Sequence, residues 1–232
     1  NPKIIMGPNY MKLILIKIII FIFLLLSNAW AKEIFSEYSV STAGVKIGEF
    51  SWKLDLYDGY YKIQINLKST GLISSFYNFE GEYLSSGILQ DRTFKSRNYK
   101  QFWETKKKTK IIEIKFTDEL INIEQIPKED EAPRINFSDL SGYNDPLTSF
   151  LNVLINSKSV NTIDGRRIYS MKKNSKEDNL NKVSIQIKEY KNIWADHDRN
   201  DLKKIEFFVE DDFLPYEIHI HFKKRVFRLE RI

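Results

Sequence analysis

Apolar and polar residues alternate strictly from Phe50, with Phe50, Trp52, Leu54 and Leu56 on one side and Ser51, Lys53, Asp55 and Tyr57 on the other. Successive side chains of a strand point to opposite faces, so this segment predicts a strand with one buried face. Asp58-Gly59 follows, a favoured two-residue hairpin turn because both central positions need positive φ. The return run carries Tyr61, Ile63, Ile65 and Leu67. Closing the hairpin there sets Leu56 opposite Tyr61, Leu54 opposite Ile63, Trp52 opposite Ile65 and Phe50 opposite Leu67, so all four apolar pairs share a face.

The same pattern recurs in Ile112, Ile114 and Phe116, followed by Asp118-Glu119 and the run Leu120 to Ile126, which predicts a second hairpin. Further strands are predicted at Phe76 to Leu84, Asn98 to Glu104, Val183 to Tyr190, Leu202 to Glu210, Tyr216 to Phe222 and Val226 to Leu229. Pro127 to Pro133 encloses four charged residues and reads as a loop. After Asp145 and Pro146 the apolar positions change to Leu147, Phe150, Leu151, Leu154 and Ile155, one face of a helix. Asp145 suits the cap and Pro146 the first helical position. The expected fold is therefore mainly β within the α+β class, a curved antiparallel sheet or half-barrel wrapped around one amphipathic helix.

Met11 to Ala31 reads as an export signal. Lys12 supplies a positive start, Ile18 to Leu26 are nine uninterrupted apolar residues, and Ala29 and Ala31 occupy the positions a signal peptidase reads. Cleavage is expected between Ala31 and Lys32. A retained anchor is the rival reading, but a spanning helix needs about 20 apolar residues, and even the longer run from Leu13 is interrupted by Lys17. Residues 1–31 are thus set aside as an upstream extension plus signal peptide, and 32–232 as one β-rich periplasmic domain.

This division changes the reading of charge. Three of the 36 basic residues, Lys3, Lys12 and Lys17, lie in the leader with no acids, so the remainder stands close to neutrality against 31 acidic residues. No cysteine is present, which excludes a thiolate zinc site, a cysteine nucleophile and a lipid-modified cysteine after the signal.

His219 and His221 share one face of a predicted strand, a spacing that can support a metal. Ile218, Ile220 and Phe222 occupy the other face as core, so the pair is expected at the surface, and nothing in the sequence brings His197 near it. Asp196, Asp198, Asn200 and Asp201 resemble the opening of a calcium loop, but its sixth and twelfth positions hold Asp201 and Phe207 instead of Gly and Glu. Lys106, Lys107, Lys108 and Lys110 follow Phe102 and Trp103, a combination suited to single-stranded nucleic acid. In an exported chain it reads as a solvated strand connection, with anionic head groups as a secondary partner. Glycine phosphate loops and nucleophile elbows are absent. No cofactor, nucleic-acid partner or enzymatic activity is expected.

Tyr38-Ser39-Val40 with Gly44 to Gly48, Ser69-Thr70-Gly71-Leu72, Asp145-Pro146-Leu147-Thr148, Ile163-Asp164-Gly165-Arg166-Arg167-Ile168-Tyr169 and Leu214-Pro215-Tyr216-Glu217-Ile218 together resemble the exported domain-of-unknown-function family 3108. The resemblance implies a periplasmic protein similar in fold to the lipoprotein carriers. Relatives often carry a cysteine pair around the Asp-Gly-Arg-Arg motif, which this chain lacks. Asp164, Arg166 and Arg167 are candidates for polar recognition, although Asp-Gly is also a turn signal and arginines pair with surface acids.

The expected role is a non-enzymatic envelope protein that binds a lipid-like or hydrophobic ligand on the concave face, with Phe50, Trp52, Leu54, Phe76 and Phe79 as candidate contacts. The alternatives are a structural or assembly factor engaging another envelope protein, and a hydrolase with a diffuse site. Membrane contact is expected only through the signal or peripherally. N-terminal sequencing of the exported protein should begin at Lys32; a start at or before Met11 would reject cleavage.

Overall fold

The first hairpin forms in the register its turn dictates. Leu56 faces Tyr61, Leu54 faces Ile63, Trp52 faces Ile65 and Phe50 faces Leu67. Asp58 and Gly59 adopt φ of 26° and 76°. The structure is a computed structural model describing residues 32–232 except 77, 156, 175–181, 195–200 and 210–214. The leader with Ala31, His197, and Asp196, Asp198 and Asn200 of the calcium-like stretch lie outside the described residues.

Among the described residues, thirteen strands form one antiparallel sheet. β1 (Lys32–Thr42), β2 (Val45–Tyr57), β3 (Tyr60–Ser69), β4 (Phe79–Gln90), β5 (Thr93–Thr105), β6 (Lys108–Phe116) and β7 (Ile121–Ile126) run outward in chain order. The chain then crosses to the far edge. It returns through β8 (Ser159–Ile163), β9 (Arg167–Lys173), β10 (Lys182–Asn192), β11 (Leu202–Val209), β12 (Pro215–Phe222) and β13 (Arg225–Arg231), which pairs with β1. The sheet is curved, with β7 and β8 as edges, and does not close into a barrel.

The crossing between those edges carries a 3₁₀ turn, Phe137–Leu140, and the one substantial helix described. A short helix α1 (Gly71–Phe76) precedes β4, and the longer α2 (Pro146–Ile155) lies in the hollow against β4, β5, β8 and β9. Leu147, Phe150, Leu151 and Val153 of α2 are buried. Each such side chain stabilises the fold by roughly 1.5–3 kcal/mol. Phe150 joins the two arms of the sheet, packing edge-on to Trp52 of β2 at 5.0 Å and against Phe207 of β11 at 4.5 Å.

Thr148, Ser149 and Asn152 of α2 are buried too, so the helix is enclosed nearly all round over its first two turns. Buried polar groups need partners. The Asn152 amide provides one case, accepting from Phe94 N at 2.8 Å and donating to Phe94 O at 2.8 Å. It thereby satisfies both backbone groups of a β5 residue.

Three expectations are corrected. Phe76 does not open a strand; it ends α1 and is 86% exposed, and the strand begins at Phe79. That strand also continues past Leu84 to Gln90, across a bulge in which Ser86 pairs with Asn98 and Gly87 with Ser96, leaving Arg97 of β5 as the extra residue. A Cβ on Gly87 would lie 1.9 Å from Lys95 O, so only glycine fits. Strands β1, β8 and β9 were not expected. In β1 Ser36 faces inward while Phe35 is exposed, and β9 buries Ile168, Tyr169, Ser170 and Met171 consecutively, so neither shows period-two hydropathy.

Asn152→Leu keeps the volume but removes both partners of Phe94. Urea unfolding should show a loss of about 2–4 kcal/mol; a loss below about 0.5 kcal/mol would show that α2 is not tied to β5 through this amide.

Candidate functional site

Asp145 occupies the cap that the sequence indicates, and the fold gives it further partners. Its Oδ1 accepts from Leu147 N at 2.9 Å and Thr148 N at 3.1 Å. Its Oδ2 accepts from the hydroxyls of Ser85 at 2.8 Å, Ser96 at 2.6 Å and Thr148 at 2.5 Å. Tyr61 OH extends the network to Thr148 Oγ1 at 2.5 Å. Burial pushes the carboxyl up, against the pull of the Ser96, Thr148 and Ser85 groups bonded to it. The residue types suit acid–base chemistry, but the bonds run from α2 to β4 and β5, and each member is buried. The arrangement anchors the helix.

The concave-face candidates do not gather into one site. Trp52 and Leu54 are buried in the core, with Phe150 of α2 packed on Trp52. Phe50 is half-buried beside Tyr38 at 5.6 Å, and Phe79 packs on Trp103 at 4.2 Å. Phe76 stands outside on α1.

Asp164, Arg166 and Arg167 do come together, in the turn joining β8 to β9. Asp164 Oδ1 accepts from Arg166 N at 2.8 Å and Arg167 N at 2.7 Å, fixing the backbone. Gly165 has φ of +86°, and a Cβ there would lie 2.4 Å from Ile112 Cγ2 of β6. The turn is therefore pressed onto the opposite arm. Trp194 Nε1 donates to Gly165 O at 3.1 Å and Ile193 N to Arg166 O at 2.9 Å. Burial pushes the Asp164 carboxyl up, with Arg167 and the two backbone N–H groups opposing it.

His219 and His221 lie on the outer face of β12 in an ion network. His221 Nε2 is 2.6 Å from Glu206 Oε2, and His219 Nε2 is 2.7 Å from Glu217 Oε1. Lys182 and Lys204 reach Glu206 Oε1 at 2.7 and 3.0 Å. Burial raises the Glu206 carboxyl, but hydrogen bonds from Lys182, His221 and Lys204 outweigh it and hold the carboxyl at about 2. Among the described residues no group of three or more His, Cys, Asp or Glu is placed to hold a metal.

Among the described residues, a cleft opens at each end of the β6–β7 hairpin. A cleft of about 350 Å³ lies between the start of β5, the β6–β7 turn and the 3₁₀ segment. Phe94, Phe116, Ile121, Phe137 and Leu140 line it together with Lys95, Arg97, Asp118 and Asn144. Arg97 Nη1 is paired with Asp118 Oδ1 at 3.1 Å. Sequence reasoning missed these residues because they come from three separated segments with no shared motif. A smaller cleft of about 130 Å³ lies at the other end of the β6–β7 hairpin, beside Arg166.

These features define an open antiparallel half-barrel whose hollow is occupied by one pinned helix. The chain matches the family described as protein of unknown function (DUF3108) over residues 37–212 and belongs to it. No curated protein and no solved structure matches it.

The Glu206 network carries a pH signature. In the fold this carboxylate stays ionised down to about pH 2, whereas unfolded it protonates near 4.5. Its stabilisation is complete above about pH 4.5 and lost as pH falls through about 2. Discounted for solvent screening of the lysine partners, it amounts to roughly 1–2 kcal/mol. Urea midpoints at pH 7 and pH 3 should fall less in Glu206→Gln than in the native chain; equal falls would remove Glu206 as the cause.

Proposed function

We propose that this chain is an exported, non-enzymatic cell-envelope protein that takes a small hydrophobic or lipid-like ligand in the cleft of about 350 Å³. The cleft itself carries the reading. α2 and the crossing segment occupy the hollow, while this opening keeps a wall of Phe94, Phe116, Ile121, Phe137 and Leu140 beside Lys95 and Arg97. Its size falls within the roughly 300–1,000 Å³ typical of small-molecule sites. A lining that mixes these apolar side chains with Lys95, Arg97, Asp118 and Glu119 suits a molecule that is apolar in one part and polar in another.

Export is supported by the leader, with the periplasm as destination. A binding role is supported by the lack of cysteine and by hydroxyls and carboxylates that are engaged in holding α2 rather than facing a substrate. The ligand's site moves from the expected Phe50, Trp52 and Leu54 to the cleft because Trp52 and Leu54 are core residues.

Native mass spectrometry of protein purified from its own periplasm should show a bound lipid-sized mass. Ser141→Trp, at an exposed lining position, should abolish that mass while leaving the melting temperature unchanged. An adduct retained in Ser141→Trp, or none in the native protein, would reject the reading.

A further inference from the structure

We propose that the smaller cleft, of about 130 Å³, is an oxyanion site that takes a phosphate group, either free or carried by a lipid head group. Its lining brings Lys108 and Lys110 of β6, Lys128 beyond β7 and Arg166 of the β8–β9 turn around one small volume, with a single carboxylate, Glu129. Glu129 Oε1 is 3.3 Å from Arg166 Nη2. Lys108 and Lys128, both exposed at the cleft, add positive charge in a concavity, which draws anions.

A second observation points the same way. Gln125 also lines the cleft, and its Nε2 is buried with no hydrogen-bond acceptor among the described residues. A buried amide donor without an acceptor is costly, and an oxygen-rich ligand supplies what it lacks. The lysines offer charge without geometry; the amide and the guanidinium add direction.

Arg166 is held more firmly than a surface arginine. Its N–H is fixed by Asp164 Oδ1 at 2.8 Å and its carbonyl by Ile193 N at 2.9 Å, while Gly165 packs on Ile112. The guanidinium is therefore presented at the cleft from a backbone set before any ligand arrives. The Asp-Gly-Arg-Arg turn thus has a binding consequence besides its structural one. This site is independent of the apolar cleft, which lies at the opposite end of the same hairpin.

The test uses the chain from Lys32 onward in three forms: native, Lys108→Gln/Lys128→Gln, and Lys106→Gln/Lys107→Gln. All four lysines are exposed, so unchanged thermal melting is expected throughout. The probes are inorganic phosphate, followed by calorimetry, and sedimentation with vesicles of phosphatidylglycerol in phosphatidylcholine. Binding of inorganic phosphate identifies a free anion as sufficient; binding of vesicles alone identifies the lipid head group. In either case Lys108→Gln/Lys128→Gln should weaken binding by about tenfold or more, and Lys106→Gln/Lys107→Gln by less than about threefold. Failure of the native chain to bind either probe overturns the proposal. So does equal weakening by the two double variants, which would show a diffuse basic surface in place of a site.

Discussion

The fold depends on the anchoring of Asn144 and Asp145 inside the hollow. Asn144 accepts from Ser96 N on β5 through its side chain, while its backbone bonds Asn161 and Ile163 of β8. Asp145 collects hydroxyls from β4 and β5 and begins α2 with the same carboxylate. Two adjacent residues therefore hold one arm of the sheet to the other and fix where the helix starts. An open sheet of this width would otherwise leave its concave face and two edges exposed, which favours association with other chains.

The route of the chain explains why the helix lies there. Seven strands run outward from β1, six return to it, and the connection must travel from one edge to the other. A path across the concave side buries the apolar face of the helix against both arms, as Phe150 does between Trp52 and Phe207. The Asp164–Arg167 turn reaches the opposite arm from β8 and β9, pressing Gly165 on Ile112. What stays open is displaced to the two ends of the β6–β7 hairpin. One end mixes apolar side chains with charged and polar ones, and the other gathers cations.

Strands with one buried face were legible in the sequence. The Phe50–Leu67 hairpin was legible down to residue pairing, since strict alternation and an Asp-Gly turn leave one register with a common apolar face. The helix and its cap were legible for a similar local reason. Strands β1, β8 and β9 were not, because Ser36 is buried, Phe35 is exposed and β9 is covered on both sides. Gly87 illustrates the same limit: nothing in its sequence setting marks the close approach of Lys95 O, which leaves no room for a Cβ.

The candidate sites divide along the same line. By itself the sequence determined the class of fold, the first hairpin's register, the helix and its cap, and the Asp164-Gly165 turn, all of which rest on residues within a few positions of one another. It could not show that Trp52 lies under Phe150, that His221 pairs with Glu206, or that Gln125, Lys128 and Arg166 share a cleft. Those contacts join residues from about fifteen to about a hundred positions apart. Strand register decides the His221 pair, and the curvature of the sheet with the crossing from β7 to β8 decides the other two; neither leaves a periodic mark in the chain.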